Sequence, residues 1–145
     1  MGQETDIMKA EELMAGDWLK FPIGNEKVVD LPYIEGKGIC ASFAASATLF
    51  PVEIEKLEPI PLTAEILEKN GFEKHDVRVV LGTKLHFVIS DDYFNVALSE
   101  HTDSIWRFEY YNAETTLHSA HLFICHVHEL QRALKLCGID LKITV

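Results

Sequence analysis

Apolar and polar residues alternate along most of this chain in short runs bounded by glycine, proline or aspartate. That period of two places successive side chains on opposite faces of an extended backbone, so it demands half-buried strands. Asp17-Trp18-Leu19-Lys20-Phe21 is one such run, between Gly16 and Pro22. Lys27–Ile34 is a second, and Pro32 inside it makes it an edge strand or a strand end. Gly36-Lys37-Gly38 marks a turn, and Ile39–Leu49 is an apolar, small-residue run of unassigned type. Pro51–Leu57 alternates again, with Val52, Ile54 and Leu57 toward one face. Short strands and tight turns over this stretch suggest a small barrel-like unit. The second half continues with Arg78–Leu81 and Lys84–Ser90 as a hairpin turning at Gly82-Thr83. Asp91-Asp92 follows as a turn, then the strands Tyr93–Leu98 and Ile105–Tyr111, separated by a polar loop over Ser99–Ser104. Asn112-Ala113-Glu114 is a further turn, Leu117–Cys125 a further strand, and Ile139–Val145 a closing one.

Two segments break this period and read as helices. In residues 62–72, Thr63 is placed to accept from the open first-turn amides, and Leu62 and Leu67 stand at hydrophobic-staple positions. Glu65 suits the positive end of the helix dipole. Gly71 supplies the left-handed closing residue, and Phe72 folds back on Leu67. The helix is therefore Ala64–Asn70, with Pro59 and Pro61 enforcing an extended approach. Val127, Leu130, Leu134 and Cys137 form one apolar stripe, which makes Val127–Cys137 the second helix, stopped by Gly138. The expected class is α+β: mostly antiparallel strands with two helices and an SH3-like small-barrel N-terminal half. One α+β domain is expected over residues 8–145: the SH3-like half at 8–58, the linking helix at 62–72, and antiparallel strands with the C-terminal helix and strand at 73–145. Residues 1–7 read as a disordered leader, with Met8 as an alternative start.

Composition narrows the function classes. A chain of 145 residues fits one ordinary domain. Thirteen basic against 23 acidic residues give a net charge of −10, with no basic cluster. Nucleic-acid and anionic-membrane binding both need Lys and Arg, so neither is expected. A protein partner, with a basic surface, is. Cys40, Cys125 and Cys137 are odd in number and widely spaced, so buried free thiols are expected rather than a disulfide framework. The polar N-terminus lacks the apolar core of a signal peptide, and no run reaches the ~20 apolar residues of a membrane helix. A cytoplasmic protein is expected.

All seven histidines fall between His75 and His128. The densest run is His118, His121, His126 and His128, with Glu129 adjacent. Imidazole is a common metal ligand. Against a metal, the run lacks H-E-x-x-H, since Arg132 stands four after His128. Surface or hydrogen-bonded histidines are the ordinary expectation, and no metal or cofactor is assigned. Cys125 beside His126 suggests a nucleophile and base, but neighbouring strand residues face opposite ways. Asp91-Asp92 reads as a solvated turn. Glu53, Glu55 and Glu58 form an acidic row, either solvated or facing a basic partner. Tyr110-Tyr111 must put one ring on each face of a strand. No phosphate loop, dinucleotide fingerprint, nucleophile elbow or kinase signature is present.

Three stretches carry a resemblance. They are Leu13-Met14-Ala15-Gly16-Asp17-Trp18-Leu19; residues 57–72, LEPIPLTAEILEKNGF; and Val127-His128-Glu129-Leu130-Gln131 running on to Leu136-Cys137-Gly138-Ile139. Together they resemble a family of small uncharacterised proteins of gut Bacteroidales, often encoded near prophage or mobile elements. The likeness runs through most of the chain from Met8 and implies no activity. The opening L-x-x-G-D-x-L also looks like the first strand of SH3-like barrels. The resemblance directs attention to His128, Glu129 and Gln131, with His126 before them, as binding residues at a strand-to-helix junction. The leading expectation is a non-enzymatic binding or adaptor protein acting through a protein partner. The alternative is a metal-dependent enzyme using the His/Glu cluster near residues 118–129.

Overall fold

The computed structural model describes residues 13–21, 24–43, 52–79, 82–91, 93–102, 104–112 and 118–145. It is an α+β structure, mostly antiparallel strands with two helices. The chain packs as two compact units, residues 1–60 and 61–145. The expected leader lies outside the described residues.

In the first unit, β1 is Trp18–Phe21, β2 Gly24–Asp30, β3 Tyr33–Ile34, β4 Gly38–Phe43, β5 Val52–Glu53 and β6 Glu58–Pro59. β1 pairs antiparallel with β2 on one side and β6 on the other. Val28 pairs with Phe43 and Asp30 with Ser42; Tyr33 pairs with Ile39 and Ile34 with Gly38. These four pairs follow one hairpin register, broken by a single irregularity between Val28 and Asp30. β2 and β3 are thus one strand bent at Leu31-Pro32, where proline cannot donate to the ladder. Cys40 N–H still donates to Pro32 C=O at 2.8 Å, and β5 lies along the other edge of β4. The spatial order is β6, β1, β2/β3, β4, β5. Among the described residues no pairing closes this sheet into a barrel.

The reading of Pro51–Leu57 as one alternating strand is corrected. Val52–Glu53 is a two-residue strand, and Ile54–Lys56 is a 3-10 turn closed by Leu57 N–H to Ile54 C=O at 3.0 Å. Ile54 and Leu57 are still buried, because the i and i+3 side chains of a 3-10 turn share a face. They join Leu13, Leu19, Val28 and Ala41 in the core of this unit. The acidic row is broken with the strand: Glu53 and Glu58 sit on different strands, with Glu58 3.7 Å from Lys20.

The L-x-x-G-D-x-L stretch has a physical account. Gly16 turns with φ +99°, a region that penalises any side chain. Its N–H donates to Val28 C=O at 2.7 Å, and Val28 N–H donates to Asp17 C=O at 2.8 Å. The Asp17 carboxylate is buried and accepts from Met14 N–H at 2.7 Å. Replacing it leaves that amide without this partner, at a cost of roughly 1–3 kcal/mol. Asp17→Ala is expected to speed amide exchange in β1 and β2 on the order of five- to a hundred-fold. Exchange measured by mass spectrometry at unchanged rates would count against this account.

In the second unit, α1 is Ala64–Lys69, followed by β7 Glu73–Val79, β8 Gly82–Ser90, β9 Phe94–Thr102, β10 Ile105–Asn112, β11 His118–Ile124 and α2 Val127–Leu136. β7 to β11 form one antiparallel meander in chain order. α1 is capped as expected: Ile66 N–H donates to Thr63 Oγ1 at 3.3 Å, and Leu62, Leu67 and Phe72 are buried. Gly71 closes it at φ +88°, with Phe72 N–H on Leu67 C=O at 3.1 Å.

Three boundaries differ from expectation. β7 begins at Glu73 rather than Arg78, and the register (Arg78 with Thr83, Val79 with Gly82) draws Gly82 and Thr83 into β8 rather than a turn, while residues 80–81 lie outside the described residues. Ser99–Thr102 extends β9 instead of looping, since Ser99 pairs with both His86 and Arg107. Cross-strand pairing overrides the polar composition there. Ile139–Val145 is not a strand. Ile139 and Ile143 are buried, and the Asn70 side-chain amide holds Thr144 by both backbone groups at 2.7 Å. A side chain thus replaces the ladder that alternation implied.

Asp91 does form a turn, its carboxylate accepting from Tyr93 N–H at 2.7 Å and Phe94 N–H at 3.1 Å. All three cysteines are free; Cys40 is buried, while Cys125 and Cys137 are half-buried. Among the described residues no helix is long and apolar enough to cross a membrane.

Candidate functional site

The predicted site falls where β11 gives way to α2. The backbone at His126 is still extended (φ −128°, ψ 156°), and helix begins at Val127. An isolated bridge between Pro61 and His126, and Leu62 N–H on Cys125 C=O at 2.9 Å, tie this junction to the approach of α1. Three of the four expected residues gather here. One oxygen of Glu129 accepts from His126 N–H at 3.0 Å and Cys125 N–H at 3.1 Å, and lies 2.8 Å from His126 Nδ1. The carboxylate is the returning half of a capping box, satisfying amides that a helix start leaves open. The His126 and His128 rings stack with centroids 5.7 Å apart and planes 14° from parallel. Gln131 lies half-buried one turn on from Val127.

The electrostatics follow from this packing. Burial would raise the Glu129 carboxyl; the hydrogen bonds from His126 and Cys125 outweigh it and hold the group below its ordinary value. His128 is buried, and among the described residues its Nδ1 has no hydrogen-bond partner. Burial lowers it to about 4; Glu129 pulls upward, while His126 and Arg132 push down. His128 is therefore a neutral ring near pH 7. The junction thus has a carboxylate occupied by its own helix and a neutral, sequestered imidazole. Among the described residues, no group of three His, Cys, Asp or Glu converges as a metal site requires. The side chains of His118 and His121 are outside the description; the register sets His121 opposite Glu109 and His118 opposite Tyr111.

A second polar constellation was not anticipated. Arg107, Glu109 and Tyr111 share one face of β10, with Arg107 Nε 2.8 Å from Glu109 Oε1 and the Tyr111 hydroxyl donating to Glu109 Oε2. The hydrogen bond to Glu109, then burial, raises the Tyr111 phenol, so it is a donor rather than a base. Tyr111 also borders a shallow groove of about 300 Å³, with His86, Val88, Asn95 and Ala97. The signal was present in the alternation Arg107-Phe108-Glu109-Tyr110-Tyr111, which sets three polar side chains in file.

Comparison with family models, curated proteins and solved structures finds no match.

Proposed function

We propose that this chain is a non-enzymatic binding protein that acts through a protein partner, with the bent hairpin of the first unit as its contact surface. The observation that carries the reading is the exposed cross-strand pair on that hairpin. Tyr33 is 74% exposed and stands directly opposite Ile39, 43% exposed. Val29, 47% exposed, lies at the irregular step between Val28 and Asp30 on the same strand. An exposed tyrosine beside aliphatic neighbours is a frequent interface anchor, offering large contact area at small entropy cost. Among the described side chains of the hairpin, the exposed charges Lys27, Asp30, Glu35 and Lys37 are balanced in sign. Steering toward a basic partner comes instead from the net charge of −10.

The strand order supports an SH3-like reading of this unit. It is a meander in which the last strand returns beside the first after a 3-10 turn, the winding that a small barrel of that kind requires. SH3-like units bind extended peptides against exposed aromatic side chains.

Partner capture from a bacterial lysate tests the proposal, comparing the full chain with a Tyr33→Ala/Ile39→Ser variant. Loss of an anchor pair costs on the order of 2 kcal/mol, about thirty-fold in affinity. A protein retained by the parent and by His126→Ala, but lost by the hairpin variant, is expected. The same proteins retained by all three would overturn it.

A further inference from the structure

We infer that the facing histidines His75 of β7 and His86 of β8 form a two-imidazole site for a divalent transition-metal cation of zinc's class, with water in its remaining positions. The register places the two residues directly opposite each other. Directly opposed residues of an antiparallel pair share a face, with Cβ atoms about 4.5–5.5 Å apart. Two imidazoles rising from that spacing reach one cation at the roughly 2.0–2.1 Å of a zinc–nitrogen bond. Their face is the one turned away from the packed side of the sheet. Phe87, next to His86, points to the other face and is buried against Trp106.

Among the histidines whose side chains are described, this pair is the available one. His126 is engaged by Glu129 at 2.8 Å, His128 is buried, and the His101 ring rests against Phe123 with centroids 4.6 Å apart. His75 is exposed and His86 half-buried. His86 also borders the groove with Val88, Asn95, Ala97 and Tyr111, so solvent reaches the pair from that side. Among the described residues no side-chain hydrogen bond or ion pair takes up His86, and His75 Nε2 has the Glu73 carboxylate at 3.7 Å.

Donor chemistry and charge select the ligand. Imidazole suits zinc, copper and nickel, whereas magnesium and calcium take oxygen donors. Glu73 stands two residues before His75 on the same face, so a carboxylate flanks the pair and favours a cation there. The net charge of −10 acts in the same direction. Two protein ligands leave coordination positions to water, the open arrangement rather than the closed four-ligand set of a structural site. Such a site does not have the three-group convergence of a dedicated metal centre, which the described residues lack, and it is correspondingly weak and exchangeable. With half the ligands of a closed zinc site, dissociation is expected at roughly 1–200 µM.

Isothermal titration of the full chain with zinc chloride is the test. Zinc uptake in that range is expected, with no response to magnesium chloride. Affinity should fall at least about ten-fold in each of His75→Gln and His86→Gln and stay unchanged in His101→Gln. It should also weaken on acidification, because imidazole ligands must be deprotonated to bind. A parent that takes up no zinc, or a folded His75→Gln/His86→Gln double variant that binds as tightly as the parent, overturns the inference. Should the variants fail to fold, amide resonances of the parent decide. Substoichiometric Cu²⁺ must broaden those around residues 75 and 86 first; broadening that begins elsewhere overturns the site. The pair lies in the second unit, so either result leaves the hairpin reading to its own test.

Discussion

Stability of the second unit is expected to fall by roughly 3 kcal/mol as pH drops from 7 to 4, through His128. The ring has an ordinary value of 6.5 and is lowered to about 4 by burial. Between those values the unfolded chain binds a proton that the native ring refuses. The contribution is therefore fully present above about pH 6.5 and is lost as pH falls toward 4, with a slope of at most about 1.4 kcal/mol per pH unit. Glu129, also held below its ordinary value, adds a loss of the same sign at the acid end. Urea midpoints at several pH values measure this. His128→Phe keeps the ring volume, removes the unpartnered Nδ1 and removes the titration. It is expected to raise stability at pH 7 on the order of 1 kcal/mol and to flatten the profile between pH 6.5 and 4. An unflattened profile would place the acid sensitivity elsewhere.

The same residue shows how far the site was legible. His126, His128 and Glu129 were picked out by proximity in sequence, and they do converge. Their roles came from backbone needs that spacing does not show. A helix starting at Val127 leaves the amides of Cys125 and His126 facing a carboxylate three residues into the helix, and Glu129 is taken up there. The α1 caps were legible because each rests on local chemistry within a few residues. What failed was long-range. The alternation of Ile139–Val145 implied a strand, yet Asn70, 74 residues from Thr144, takes the backbone groups a ladder would have used. Ser99–Thr102 looked like loop by composition and was drawn into β9 by pairing with β10. The file of Arg107, Glu109 and Tyr111 was visible as alternation, but the ion pair and hydrogen bond that join it appear only once β10 is folded.

Trp106→Ala is expected to cost the second unit roughly 3–5 kcal/mol, the largest effect of any single truncation proposed for this chain. Trp106 is buried on β10 between Glu100 of β9 and Ile124 of β11. Its ring meets Phe87 of β8 edge-on, with centroids 5.7 Å apart. Its Nε1–H donates to Leu62 C=O at 3.0 Å, the carbonyl just before the N-cap of α1. One side chain therefore joins the sheet to the extended approach of α1 at Leu62. Truncation leaves a cavity and deprives Leu62 C=O of this donor. Trp106→Phe refills most of the volume but cannot donate, so it separates the two contributions: about 1–2 kcal/mol is expected for the lost hydrogen bond and residual packing. A double-mutant cycle with Phe87→Leu should return a coupling of about 0.5–1.5 kcal/mol for the edge-on pair. Unfolding followed by far-ultraviolet circular dichroism serves all five proteins, the parent included, since the tryptophan signal itself is altered. If Trp106→Phe cost as much as Trp106→Ala, the hydrogen bond to Leu62 would be the dominant tie. If it cost nothing, the indole would act by volume alone, and α1 would owe its position to the staple and the Pro61–His126 bridge.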